Sequence, residues 1–153
     1  MLYYAIVFLL MLALPAVSIA IEAFMSGAMP LVVLLAKWFV FWAVGMRLFL
    51  AGVRQIAQPK YTAQVILGLK SDEVLLVVRE LGFANLSMGL LGLATLAVPG
   101  WQLAAALAGG IFYGLAGINH ALQPHRNRLE NVAMVSDLLA SAVLLGLCIL
   151  ALV

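Results

Sequence analysis

The sequence has very little charge. Only 9% of its 153 residues are Asp, Glu, Lys or Arg, whereas a soluble domain carries about 25%. A chain with so few charges and with 67% hydrophobic residues cannot cover itself with a hydrated surface. The composition therefore excludes a soluble enzyme and a nucleic-acid-binding protein.

Cysteine is almost absent and histidine is scarce. The single cysteine, Cys148, excludes an internal disulfide framework and a cysteine-cluster metal site, and we interpret it as a small packing residue. The two histidines lack the spacing of a bis-histidine haem or a Glu-x-x-His motif, so we expect no cofactor and no metal. One alternative is a carboxylate–histidine metal site of the kind found in helix bundles, built from His120, Glu80 and Glu130 or Asp137.

Long apolar runs dominate the sequence instead. Five of them are long enough to cross a bilayer at about 20 residues per crossing, at about residues 1–21, 31–52, 74–98, 101–122 and 131–153. Residues 81–125 contain no Asp, Glu, Lys or Arg, and Pro99-Gly100 divides them into two helices joined by a hairpin. The sequence therefore predicts an all-α integral membrane protein: a single membrane domain, residues 1–153, folded as a bundle of five transmembrane helices.

The basic residues orient this bundle. Seven of the eight Lys and Arg residues lie on the side that the N-terminus shares with segments 54–73 and 123–130, and only Lys37 belongs to the other half. Cytoplasmic loops of membrane proteins carry the excess of Lys and Arg. We therefore expect a multi-pass protein of the bacterial inner (plasma) membrane with a cytoplasmic N-terminus and a periplasmic C-terminus. Within segment 54–73, residues 62–68 predict a short interfacial helix that ends at Gly68.

The third and fourth spans each carry one stripe of small or polar residues at helical spacing. No hydrophobic effect drives helices together in lipid, so their association depends on close packing. Stripes of small residues let the helix backbones approach closely. A short hairpin joins the two spans, so the stripes are expected to pack against each other. The stripes consist of Gly82, Asn85, Gly89 and Gly92 in the third span and of Gly110, Gly114, Gly117 and Ala121 in the fourth.

Polar side chains recur at one depth in four of the spans. Arg47, Glu80 and Asp137 each lie about 10 Å inside a predicted span, where a charge is costly unless it faces the bundle interior. We expect a polar layer in the cytoplasmic half that binds a ligand through Arg47, Arg79, Glu80, Asn85, Asn119, His120 and Asp137. The arginines would bind an anionic or carbonyl head group, the acids would serve as counter-ions, and the asparagines would orient the ligand. The alternative is a charge network that only holds the helices together.

Three glycine-containing motifs surround this layer: WFVFWAVGMRLFLAG at 38–52, RELG at 79–82 and FYGLAGINH at 112–120. With these motifs, the chain from Lys37 onward resembles the DoxX-like group of small four-helix membrane proteins. Its last part looks closer to an uncharacterised bacterial membrane family within or near that group. The resemblance implies a four-helix core preceded by an added N-terminal helix. It also implies relatives that serve as accessory subunits of membrane redox systems, and distant ones that are sterol isomerases.

No motif specifies a reaction, so three classes of function stay open. The leading hypothesis is a membrane protein of unknown activity, without catalysis, that binds an amphipathic small molecule or lipid, or docks a membrane partner, at the polar layer. The second is an isomerase-type membrane enzyme in which Glu80, His120 or Asp137 exchanges protons with a lipid-like substrate. The third is a small proton-coupled transporter, which is disfavoured because the outer half has almost no polar lining. The expected partners are membrane lipids, an amphipathic small molecule, further copies of the chain or a membrane redox subunit.

Overall fold

The computed structural model describes residues 2–27 and 29–151. Within them the chain is helical without any strand, and five helices are long and apolar enough to cross a membrane. These helices are α1 (Leu2–Ser26), α2 (Leu31–Ala57), α3 (Val74–Ala94), α4 (Pro99–Leu122) and α5 (Arg128–Leu150). The predicted all-α fold with five long apolar helices is confirmed. The main difference lies in the first two helices, which both extend about five residues beyond their predicted ends.

The connections contain the local signals that end and begin the helices. Between α2 and α3, a short π-helical segment covers Tyr61–Ile66. It is followed by Gly68 at a φ of 68°, a left-handed conformation that glycine adopts without steric cost. At the start of α5, the Asn127 side chain accepts a hydrogen bond from the backbone N–H of Glu130. A short helix is thus present where residues 62–68 predict one, as the segment Tyr61–Ile66.

Helices α1 and α2 each contain an irregular stretch. Leu9–Ala13 and Val40–Met46 form π-helical turns within the otherwise α-helical rods. The first turn lies just before Pro15, which has no N–H with which to continue the regular ladder. Met11 lies within the first turn, and Arg47 directly follows the second. Both irregular turns therefore lie beside the contact between Met11 and Arg47. π-Bulges within α-helices are often found at functional sites.

Two pairs of helices pack closely through glycine. In the first pair, a Cβ added to Gly92 of α3 would lie 2.5 Å from the backbone nitrogen of Gly45 in α2. In the second pair, a Cβ added to Gly114 of α4 would lie 2.7 Å from Oγ of Ser141 in α5. The Ser141 hydroxyl donates a 2.8 Å hydrogen bond to the carbonyl of Gly110. The bundle is therefore built from the pairs α2–α3 and α4–α5.

The prediction that the two glycine stripes pack against each other is wrong. The stripes exist as predicted, but the α3 stripe faces α2 and the α4 stripe faces α5. A stripe of small residues packs against whichever helix surface is complementary to it. A hairpin brings two helices together but does not determine which of their faces are in contact. Gly45 and Gly52 of α2 allow the backbone approach to α3, while Leu138 of α5 lies against Gly117.

The core lies between α2, α4 and α5, and α1 contributes at its edge. Five of its twelve buried members are alanine or cysteine, and these small side chains let the three helices approach closely. Tyr113 of α4 is the largest side chain that is completely buried. Cys148 is buried in the same cluster, in agreement with a packing role. The cluster contains Met11, Phe39, Val40, Ala43, Val44, Leu48, Ala105, Ala106, Tyr113, Ala140, Leu144 and Cys148.

Candidate functional site

Arg47 joins four helices through its guanidinium group. Its Nη2 donates to Oδ1 of Asp137 at 2.6 Å and to Oγ of Ser136 at 2.9 Å, both in α5. Its Nη1 lies 3.4 Å from the sulfur of Met11 in α1. The guanidinium carbon lies 4.8 Å from the ring centroid of Tyr113 in α4. We call these five residues the Arg47 cluster.

The Arg47 cluster lies deep within the bundle. Arg47 is ten residues from the end of α2 and Asp137 is nine residues from the start of α5, which places both about 13–15 Å from those helix ends. Their side chains are only 13% and 10% exposed. A charge at such a depth is tolerated when it is paired and hydrogen-bonded. The pair Arg47–Asp137 is electrically neutral, and it meets that condition.

Tyr113 contacts the guanidinium group of Arg47 through the face of its ring. Its hydroxyl donates to the backbone carbonyl of Ala43, which belongs to the π-helical turn Val40–Met46. That bond fixes the ring in a position from which its face attracts the guanidinium group. The irregular turn of α2 therefore provides the acceptor for the residue that supports Arg47.

An apolar groove runs between α1 and α5 beside this cluster. Its volume is about 430 Å³, within the usual range of about 300–1,000 Å³ for small-molecule sites. The groove is lined by Tyr4, Val7, Phe8, Met11 and Leu12 of α1 and by Asn131, Val132, Val135, Ser136 and Leu139 of α5. Met11 and Ser136 belong to both the groove wall and the Arg47 cluster. A molecule in the groove would therefore contact the side chains that hold Arg47.

The groove follows the helix axes from one end of the bundle inward. From Tyr4 to Leu12 and from Asn131 to Leu139, the lining covers eight residue steps on each helix, or about 12 Å. Val135 is 60% exposed on the outer rim, so the groove opens sideways. In a membrane this opening would face the lipid.

The seven residues predicted to form one layer do not meet in a single site. Asn85 donates to the side-chain oxygen of Gln55 at 2.8 Å, in a buried contact between α2 and α3. His120 lies 3.2 Å from Glu130, between the ends of α4 and α5. The remaining three are exposed on the outside of the bundle: Arg79, Glu80 and Asn119. Only Arg47 and Asp137 of the predicted set come together.

The alternative metal site is also dispersed. His120 and Glu130 are in contact, but Glu80 is exposed on α3 and Asp137 is paired with Arg47. Across residues 2–27 and 29–151, no three His, Cys, Asp or Glu side chains are grouped so that they could hold a metal ion.

Sequence reasoning missed several residues of the polar clusters. Met11 and Tyr113 have no polar pattern around them, so nothing in the sequence indicated their contact with Arg47. Glu22 and Lys37, which form an ion pair at 2.7 Å between α1 and α2, could have been found. Glu22 directly follows the first predicted span and Lys37 is the only charge in the first half of the second, so both lie close to the same hairpin.

The five long apolar helices, with the ion pair of Arg47 and Asp137 held between them, are those of a multi-pass helical membrane protein. The chain belongs to a family whose description is "Family of unknown function (DUF6790)", and the sequence profile of that family matches residues 1–153. No curated protein and no solved structure matches the chain. The resemblance to the DoxX-like group therefore stays an expectation.

Proposed function

We propose that the protein binds an amphipathic small molecule or lipid in the groove between α1 and α5. The apolar body of the ligand would lie along the groove, and its carbonyl or anionic group would face Arg47. One observation carries this proposal: Met11 and Ser136 line the groove and also contact the guanidinium group of Arg47. The apolar groove thus lies one side chain away from a buried donor, and small-molecule sites usually combine apolar walls with a few polar groups.

One contact of Arg47 is weak enough for a ligand atom to replace it. The Nη1 group points at the sulfur of Met11, and a thioether is a weak acceptor. A ligand oxygen in that position would form a charge-assisted hydrogen bond, which is shorter and stronger. Asp137 would stay in place as the counter-ion, so that the cluster is stable with and without the ligand.

A tryptophan in the groove should exclude the ligand. Val135→Trp places a large ring on the exposed rim, where it can fill the groove without touching the ion pair. We expect mass spectrometry of the protein purified in mild detergent to detect about tenfold less of the co-purifying small molecule. Ile149→Trp is the matched control, because Ile149 is 63% exposed on the same helix and lies outside the groove. Equal amounts in both variants, or no bound molecule in the natural protein, would contradict the proposal.

An acid–base enzyme that acts on a lipid-like substrate is the second candidate. It is favoured by the pair of His120 and Glu130, which are 3.2 Å apart, with Glu130 directly preceding the groove residue Asn131. Such a pair can donate and accept protons. Chemical conversion of the bound molecule by the natural protein, abolished in His120→Gln, would favour this candidate over simple binding.

We also propose that the chain lies in the bacterial inner membrane with its N-terminus in the cytoplasm. The support is the concentration of Lys and Arg at the end of the bundle that holds segments 54–73 and 123–130. A reporter fused after Val153 is expected to be periplasmic, and one inserted between Lys60 and Lys70 cytoplasmic. The reverse pattern would place the Arg47 cluster nearer the outer leaflet.

The proposed relation to the DoxX-like group fits the same arrangement. Helices α2 to α5 would be its four-helix core, and α1 would be the added helix that completes the groove. Its partner would be a membrane redox subunit or a further copy of the chain.

A further inference from the structure

A second polar cluster lies at the opposite end of the bundle, between α1 and α2. Both carboxylate oxygens of Glu22 accept from Nζ of Lys37, at 2.7 and 2.9 Å. The indole N–H of Trp38 donates to the same carboxylate. This cluster shares no residue with the groove between α1 and α5.

The ion pair forms one wall of an open cavity of about 460 Å³. Ser18 and Ser26 add hydroxyl groups to it, while Ile21 and Met25 add apolar surface. Met25 is 79% exposed, so the cavity leads from the two charges to the outer surface of α1. The cavity therefore presents charged and hydroxyl groups next to an apolar opening.

The depth of the pair corresponds to the region where lipid head groups begin. Glu22 lies four residues before the end of α1 and Lys37 six residues after the start of α2, or about 6 and 9 Å from those ends. With 25 and 27 residues, the two helices are about 37–40 Å long. They exceed the hydrocarbon core of about 30 Å, so the pair lies close to its boundary.

The charges of the cavity select the chemistry of its occupant. The Glu22 carboxylate has lone pairs beyond those that Lys37 and Trp38 use, and the Lys37 ammonium has a third N–H. The Lys37 side chain is 29% exposed and that of Glu22 is 21% exposed, so both remain accessible to a ligand. A neutral pair that presents both signs is complementary to a zwitterion.

We propose that this cavity binds a zwitterionic phospholipid that has a primary ammonium head group. Its phosphate accepts from Lys37, its ammonium donates to Glu22, and an acyl chain lies along Ile21 and Met25. An anionic phospholipid would satisfy only Lys37 and would bring a second negative charge to the carboxylate. A trimethylammonium head group has no N–H to donate. The site is separate from the proposed groove and lies in the other leaflet.

Competition among phospholipids tests this site directly. The purified protein is equilibrated with equal amounts of phosphatidylethanolamine, phosphatidylcholine and phosphatidylglycerol, and the bound lipid is counted by native mass spectrometry. We expect phosphatidylethanolamine to be retained about tenfold over the others, since hydrogen bonds to charged groups have that effect on affinity. Glu22→Gln should remove the preference, whereas Lys37→Gln should lower the retention of all three lipids, because each of them carries the phosphate that Lys37 binds. Equal retention of the three lipids by the natural protein would overturn the proposal.

A second variant tests the cavity without disturbing the ion pair. Met25→Trp fills the cavity and should also remove the preference, whereas Phe24→Trp should keep it, because Phe24 is 92% exposed and lies outside the cavity. Val135→Trp, in the other groove, should keep it too. An unchanged preference in Met25→Trp would overturn the proposal. Displacement of the lipid by an equal concentration of soluble phosphoethanolamine would identify a water-soluble ligand and would also overturn it.

Discussion

Replacing Arg47 by leucine is expected to lower the free energy of unfolding by about 2.5–3.5 kcal/mol, the cost of an unpaired charge in the membrane interior. The variant leaves the Asp137 carboxylate without its partner at 2.6 Å and leaves Ser136 without its donor. Small proteins have total stabilities of about 5–15 kcal/mol, so the loss would be a large fraction. Reversible unfolding in mixed detergent micelles measures it.

The double variant separates a true pair from two independent effects. Arg47→Leu combined with Asp137→Leu should recover part of the loss, because no isolated charge remains. The free energies of the two single variants should therefore not add. Glu80→Leu is the control: Glu80 is exposed on α3, so its effect should simply add to that of Arg47→Leu. Additive losses for Asp137 would show that the Arg47 cluster is not coupled.

A single added methyl group at Gly89 is expected to destabilise the bundle by about 1–3 kcal/mol, as overpacking typically does. A Cβ at this position would overlap with the backbone nitrogen and Cα of Phe49 in α2. Backbone atoms cannot rotate away, so α2 and α3 would have to separate along their whole contact. The melting temperature of Gly89→Ala in detergent should therefore fall.

Gly146→Ala is the matched control for this change. Gly146 also lies within a long helix, but a Cβ there has no neighbour within 4 Å. Alanine has a higher helix propensity than glycine, so the melting temperature should stay the same or rise. Equal melting of Gly89→Ala and Gly146→Ala would mean that α2 and α3 are not in backbone contact.

The number and position of the helices could be predicted because each depends on local features. Apolar runs of sufficient length, the break at Pro99-Gly100 and the left-handed glycine at Gly68 all act within a few residues. The pairing of helices could not be predicted in the same way. Gly89 and Gly114 indicate close packing, but the choice of partner depends on surfaces that lie far away in the sequence.

The polar layer predicted from the sequence is present only in part. Asp137 and Arg47 meet, but Glu80 does not join them. Its position was open to calculation: Glu80 precedes Gly82 by two residues, or about 200° around the helix, so it faces away from the packed stripe. Depth alone places a residue in a layer, and the angle around the helix axis decides which neighbour it contacts.

Photoaffinity labelling tests the proposed groove most directly. A fatty acid with a photoreactive group on its chain is added to the protein in vesicles, and the labelled peptides are identified by mass spectrometry. The account predicts labels within 4–12 of α1 and 131–139 of α5. These labels should be lost in Val135→Trp and kept in Ile149→Trp. Labels spread evenly over all lipid-facing surfaces, and unchanged in Val135→Trp, would contradict a binding site between α1 and α5.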